Sequence, residues 1–283
     1  MNQFFTWDDF VENFGAEMRF AGEVYEGMTK NGLRDHCLCQ FDFTFVSDQK
    51  QNLQRLAEVL TNRYSYTVAE IESVDDEWEL NGETGEVAVT EDTLMYWALD
   101  MARRGYEFDA KFEAYGAPFD PDEQRFPDLD AAKENFWFDW AETRYDAGDL
   151  SAALIGWSHV ITINPRNADA FYSRAIVKAE LHTWKSALRD YDAALEIDPE
   201  DHRALINRGS LKADHNDHQG AMADYDKVIQ FASDADKAMA YFNRGNSKLA
   251  LEDHAGACAD WKRAQALGAE YAQERIDENC GHS

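Results

Sequence analysis

Small and apolar residues recur at helical spacing along the second half of the chain, and the pattern returns about every 34 residues, the period of helix–turn–helix repeats. Cutting on that period gives units at 134–167, 168–201, 202–237 and 238–268. Ala153, Ala187, Ala221 and Ala257 hold one place in the four units, where a small side chain lets two helices approach. Four residues later stand the rings of Trp157, Tyr191, Tyr225 and Trp261, and early in each first helix come Trp137, Phe171, Leu205 and Tyr241. Pro165 and Pro199 close the first two units, where a fixed φ and a missing N–H end a helix. Ala232–Asp236 lengthens the third connection, so the fourth unit begins near Ala238. Residues 269–283 read as a charged capping helix and tail.

A second regularity runs through the later units. Arg174, Arg208 and Arg244 share one position, and Asp190, Asp224 and Asp260 follow sixteen residues behind, each just before a ring. In the first unit both places change together, to Trp140 and Gly156. The spacing predicts a structural Arg–Asp pair tying the two helices of a hairpin.

These motifs resemble the tetratricopeptide (TPR) repeat over about 140 residues. The resemblance implies a solenoid whose first helices line a concave groove. It implies groove positions at Asp139 and Glu142, at Tyr172, at Arg203 and Asn207, and at Phe242, Asn243 and Asn246. The lysine/asparagine/arginine clamp by which chaperone-adaptor members hold a terminal carboxylate is not reproduced. The asparagines can instead bond an extended peptide backbone, with Tyr172 and Phe242 as anchors.

The first third alternates differently. Residues 1–36 predict an aromatic helix from Thr6 to Asn31-Gly32, with Asp8 and Asp9 at its start and Phe10, Phe14 and Met18 on one face. Phe41, Phe43 and Phe45 alternate with polar residues in a strand from Cys39 to Val46. Ser47 caps a helix carrying Leu53, Leu56, Ala57 and Leu60, and a strand over 66–74 follows. Trp78 and Leu80 lead into an Asn81-Gly82 turn and a strand over 86–89. Thr90 caps a helix with Leu94, Trp97, Ala98 and Met101 that stops at Gly105, and a last strand begins at Tyr106. The order β-α-β-β-α-β over 37–117 is that of a ferredoxin-like α+β domain. Three prolines within 118–133 predict a stiff acidic linker to the all-α array.

Thr90-Glu91-Asp92-Thr93-Leu94 and Arg103-Arg104-Gly105-Tyr106-Glu107-Phe108-Asp109-Ala110 resemble the RraB family of ribonuclease E inhibitors, over Leu38 to Phe119. Phe108-Asp109-Ala110-Lys111 stands where that family has Tyr-Asp-Gly-Trp. The resemblance implies inhibition by binding a nuclease or its scaffold.

Charge narrows the partner. The net value is −28, and no Lys or Arg occurs between Arg63 and Arg103. That window and its surroundings place Asp75, Asp76, Glu77, Glu79, Glu83 and Glu86 on an acidic face, with Asp100 in the same window. Such a field repels phosphate backbones and steers a basic protein. No apolar run is long enough for a membrane span, and the stretch from Met1 to Asp9 does not read as a secretory leader. Cys37, Cys39, Cys258 and Cys280 fit no disulfide framework, which points to a reducing cytoplasm.

Candidate chemistry is sparse. His36-Cys37-x-Cys39 puts three metal-ligating residues close together, but strand alternation sends His36 away from the cysteines. His215-x-x-His218 falls in an inter-helix turn. No nucleophile motif or phosphate-cradling loop is present, so no catalytic residue, metal or cofactor is expected. The expected function is that of a cytoplasmic bacterial regulator. It would be non-enzymatic and would inhibit a basic partner such as a ribonuclease, its scaffold or a toxin. The alternative is a general scaffold bound through the repeats alone.

Overall fold

The computed structural model describes residues 4–281. Residues 1–3 of the stretch read for a leader lie outside the described residues, as do the side chains of Asp8 and Asp9. The chain forms two compact units, Met1–Pro165 and Arg166–Ser283. The division falls after the first helical hairpin, beyond the 118–133 segment.

The first unit opens with α1 (Trp7–Lys30), β1 (Cys37–Cys39), β2 (Asp42–Ser47) and α2 (Lys50–Asn62). It continues with β3 (Thr67–Val68), β4 (Glu72–Val74), β5 (Glu77–Glu83), β6 (Val87–Val89), α3 (Glu91–Glu107) and β7 (Lys111–Gly116). The hairpin α4 (Glu134–Asp146) and α5 (Leu150–Ile163) completes it. The main sheet runs β3-β5-β2-β7 with antiparallel neighbours, β4 also pairs with β5, and β1 pairs with β6 in a separate two-stranded sheet. Phe43, Phe45, Leu80 and Phe112 point from one sheet face into a core completed by Leu53, Leu56 and Leu60 of α2 and Leu94, Trp97 and Met101 of α3. Rings bind that core: Phe45 and Phe112 lie 5.0 Å apart, and Phe41 and Trp97 likewise 5.0 Å. Among the described side chains of α1 the buried ones are Phe10, Ala21 and Met28, while Met18 is exposed. The helix lies along α3, with Phe10 stacked 4.8 Å from Tyr106, and Phe20 reaches Tyr115 of β7.

Several expected elements move, each for a local reason. Asn81-Gly82 is not a turn but lies inside β5. A Cβ on Gly82 would come within 2.5 Å of the Phe43 ring and 2.7 Å of the Thr67 carbonyl, so glycine serves close packing there. The turn comes earlier, at Asp75, which takes φ 51°. The strand expected over 66–74 is two short pieces, β3 and β4. Cys39 belongs to β1, and the strand with the phenylalanines starts at Asp42. Ser47 does not cap α2; its Oγ donates to the Asp109 carbonyl, and Gln49 holds the N-cap place. Helix α3 passes Gly105 and ends at Glu107. A Cβ on Gly105 would meet the Ala110 carbonyl at 2.5 Å, and Asp109, at φ 53°, turns the chain into β7.

The 118–133 segment is fastened to its unit. Leu38 N donates to the Arg125 carbonyl at 2.7 Å, Gln124 bridges Arg34 N and the Gly32 carbonyl, and Trp137 Nε1 donates to the Asp128 carbonyl. The first hairpin is held as firmly. Ile155 sits in the sheet core. Arg104 of α3 donates to Tyr64 Oη at 2.6 Å and to the Gly148 carbonyl at 2.6 Å, while Tyr64 donates to Asp100. Asp100 also accepts from Arg103 and is fully buried, so it is no part of an acidic surface. Next to Gly148, Asp149 caps α5 by accepting from Ala152 N. Burial is the largest influence on its carboxyl and, with Asp100 nearby, pushes it up to about 7.

The second unit holds α6 (Ala168–Glu180) and α7 (Trp184–Ile197), α8 (His202–Asp214) and α9 (His218–Phe231), α10 (Asp234–Ala250) and α11 (His254–Ala266), then α12 (Ala272–Asn279). Five of its seven helices start on capping side chains: Asn167, Asp201, Asp217, Ser233 and Asp253 each accept from a first-turn backbone N–H. Residues 234–236 do not lengthen a loop. Ser233 caps there, so they join α10, which is 17 residues long. Within each hairpin the turn passes through one left-handed residue, at Gly148, His182, Asn216 and Glu252 in chain order. Cys258 and Cys280 form a disulfide, contrary to the sequence expectation. Helix α12 folds back on α11 and brings the two Cα atoms to 5.7 Å, a proximity that a separation of 22 residues does not disclose. The expectation of a reducing compartment loses that support.

Two outcomes test this packing. Gly82→Ala should cost about 1–3 kcal/mol by overpacking. Gly27→Ala in α1, where a Cβ meets nothing within 4 Å, should gain up to about 1 kcal/mol; denaturant unfolding compares them. Asp149 should bind its proton more tightly folded than unfolded. Its contribution therefore favours the fold at low pH and is lost as pH rises from about 4 to about 7. Asp149→Asn, which keeps the cap, should flatten stability over that window relative to wild type in melts at pH 4, 5, 6 and 7.

Candidate partner-binding surfaces

Alternation places Glu77, Glu79, Asn81 and Glu83 of β5 on the sheet face opposite Leu80, which is in the core. Cross-strand register sets Asp42 against Glu83, Glu72 against Glu79, and Val74 against Glu77. Asp42, Glu72, Glu77 and Glu83 are exposed and Glu79 is half-buried. Like charges directly opposite one another destabilise a sheet. Thr44 Oγ1 donates to Asn81 Oδ1 at 2.6 Å, and Gln40 Nε2 donates to Glu83. A cavity of about 470 Å³ opens at this end of the sheet, with Asp42, Thr44, Thr67, Asn81 and Glu83 in its wall. The remaining acidic-face residues sit elsewhere in the unit. Asp75 and Asp76 form the β4–β5 turn, and Glu86 pairs with Arg125 beside the small sheet. Glu72 lies within the acidic window but Asp42 lies outside it, and only the register sets them against Glu79 and Glu83.

In the array, the Arg–Asp pairs join the helices of each later hairpin. Arg174 meets Asp190 through two bonds of 2.7 and 2.8 Å, Arg208 meets Asp224 at 2.9 and 2.5 Å, and Arg244 meets Asp260 at 2.7 and 2.6 Å. A lysine one turn after each arginine joins the same carboxylate: Lys178 at 3.0 Å, Lys212 at 2.8 Å and Lys248 at 2.8 Å. The carboxylates are buried, so each has two cations in place of water. The arginines also reach back one hairpin, Arg208 to Asp192 at 2.6 Å and Arg244 to Asp226. Sequence carried both signals, as the Arg-x-x-x-Lys spacing and the Asp-Tyr-Asp triplets at 190–192 and 224–226. The last unit has Lys262 in the outer place, and α12 packs on α11 after it.

The groove residues are largely engaged. Asn207 Nδ2 donates to Tyr172 Oη at 3.2 Å, and the Arg203 guanidinium lies 4.8 Å from the Tyr172 ring centre while bonded to Asp169 and Asp201. Phe242 meets Tyr271, the residue before α12, edge to face at 4.8 Å. Asn243 and Asn246 line a cavity of about 230 Å³ between α8, α9 and α10. In the first unit, Asp139 and Glu142 are exposed on α4. The residues considered for metal do not assemble a ligand shell. Cys37 and Cys39 are buried free thiols, His215 stacks on Trp184, and among the described residues no group of three His, Cys, Asp or Glu could hold an ion. No helix among the described residues is long and apolar enough to cross a membrane.

Asp224→Ala should cost about 3–5 kcal/mol, because it strands Arg208 and Lys212 in a partly buried site. Asp192→Ala, removing an exposed partner of the same arginine, should cost less than about 1 kcal/mol. Urea unfolding of the two variants measures the contrast.

No described protein family matches the chain, and no curated protein is similar to it. Solved structures align with about half of it. MamA aligns at 16% identity and a TM-score of 0.46, over 50% of this chain and 81% of its own. PilF of Pseudomonas aeruginosa aligns at 20% identity and 0.45, over 48% and 62%. The first TPR domain of RPAP3, solved with the HSP90 peptide SRMEEVD, aligns at 17% and 0.40, over 44% and 96%.

Proposed function

We propose that the protein is a non-catalytic regulator that binds a basic protein, using the open sheet face for charge and the helical array for an extended segment. The observation that carries this is the set of like-charge pairs Asp42–Glu83 and Glu72–Glu79 across neighbouring strands. Such pairs reduce stability by themselves and become favourable when a cation lies over them. The strand order, with sequential strands in the order two-three-one-four across the sheet, supports the ferredoxin-like reading of 37–117 and with it the likeness to the RraB inhibitors. The 34-residue hairpins support the TPR reading of the array. A basic ribonuclease, nuclease scaffold or toxin would have the required charge. Since Cys258 and Cys280 are joined, the proposal specifies no compartment.

Affinity purification of the full chain from bacterial lysate, at about 50 mM and about 500 mM salt, should recover basic proteins at low salt only. The variant Glu77→Gln/Glu79→Gln/Glu83→Gln should lose them while melting no lower than wild type, since it relieves the facing like charges. Recovery of only acidic or neutral proteins would sink the reading. Unchanged recovery by the triple variant would shift it to the scaffold alternative, in which the repeats alone bind.

A further inference from the structure

The cavity between α8, α9 and α10 has polar groups in its wall that nothing in the protein answers. Ser247 is only 2% exposed, yet its Oγ has no hydrogen-bond partner, and neither has Nδ1 of His218. A buried hydroxyl without a partner has lost its water and gained nothing for it. The other wall groups are mostly acceptors. Ser210 Oγ lies 3.3 Å from Tyr225 Oη, and Asn243 turns its Nδ2 toward Ser210, which leaves its carbonyl oxygen available. Asp214, exposed, adds a carboxylate at the last residue of α8, where the helix carbonyls carry partial negative charge. No Lys or Arg lines the cavity. The nearest in sequence, Lys212 and Lys248, are committed to Asp224 and Asp260. A concave site of about 230 Å³ with several oxygen acceptors, one carboxylate and no cation is complementary to a single positively charged side chain.

We propose that this cavity seats the lysine or arginine side chain of an extended peptide segment lying across α8 and α10. The inference rests on the reading of the array as the binding site for a basic polypeptide and names where one side chain of it goes. Asp214 supplies the counter-charge, and Ser247, Ser210 and the Asn243 carbonyl supply acceptors to the ammonium or guanidinium hydrogens. Asn246 is fixed by accepting from Trp261 Nε1 at 3.2 Å, which keeps its remaining N–H groups for the peptide backbone.

The test uses the full chain and blocked alanine pentapeptides with lysine, arginine, norleucine or glutamate at the centre, titrated by NMR. The lysine or arginine peptide should shift the side-chain amides of Asn243 and Asn246 and the His218 ring saturably. Norleucine and glutamate peptides should not. Asp214→Asn, an exposed change that leaves the fold intact, should weaken binding about fivefold or more, and Ser247→Ala should weaken it as well. If norleucine binds as well as lysine, if Asp214→Asn binds as wild type, or if no peptide shifts these groups, the inference is overturned. The broader reading fails separately: it falls if the full chain captures no basic protein, whatever the cavity does. It stands if Asp214→Asn and Ser247→Ala still capture one with wild-type salt sensitivity.

Discussion

The buried aspartate between the two helices of a hairpin is the constraint on which the array depends. Asp190, Asp224 and Asp260 lie on the second helix of their hairpins with almost no access to water, and each faces an arginine and a lysine from the first helix. A lone buried carboxylate would oppose folding, and two cations in register make the same group a clasp. The clasp sets which turn of one helix faces which turn of the other. It also sets what can stand beside it. The residue after each arginine is Ala175, Gly209 or Gly245, and a Cβ on the glycines would strike the Tyr225 and Trp261 rings at 2.7 and 2.6 Å. The first hairpin lacks the clasp: its helices meet through close contact and a hydrogen bond, from Asn164 Nδ2 to Glu134 at 2.8 Å. Gly156 there lets Ala141 and Trp140 approach to within 3 Å of where a Cβ would be.

These clasps also change the meaning of the net charge. Arg174, Lys178, Arg208, Lys212, Arg244 and Lys248 are turned inward to aspartates, as Arg103 and Arg104 are to Asp100, Glu107 and the α4–α5 turn. The basic residues thereby work inside the fold while carboxylates crowd outside it. A chain of net charge −28 thus presents a more one-signed exterior than its composition states. On the sheet, the same excess appears as acids set opposite acids, which β geometry alone would not select.

Local patterns carried much of the architecture. The 34-residue period, the alanine and ring positions, and the arginine–aspartate spacing arise from contacts within one hairpin, so a single turn-to-turn periodicity reveals them. The alternation of Phe41, Phe43 and Phe45 likewise exposed a half-buried strand, because one sheet face is apolar and the other is not. Glycine was where such reasoning went astray. Gly82 and Gly105 read as a turn and a stop, yet both are places where a backbone carbonyl, of Thr67 and of Ala110 respectively, passes too close for a Cβ.

By itself, then, the amino-acid order determined the helical repeats, their internal ion pairs, the α+β character of the first third and the acidity of the whole, since all of these follow from neighbours along the chain. Tertiary structure alone decided which acids confront one another across strands, that Asp100 is buried and not displayed, and that Cys258 meets Cys280. It also decided that the first hairpin folds with the sheet, and that an unanswered serine lies at the wall of a cavity. The physical reason is distance along the chain: register, burial and close approach join residues that no local period relates.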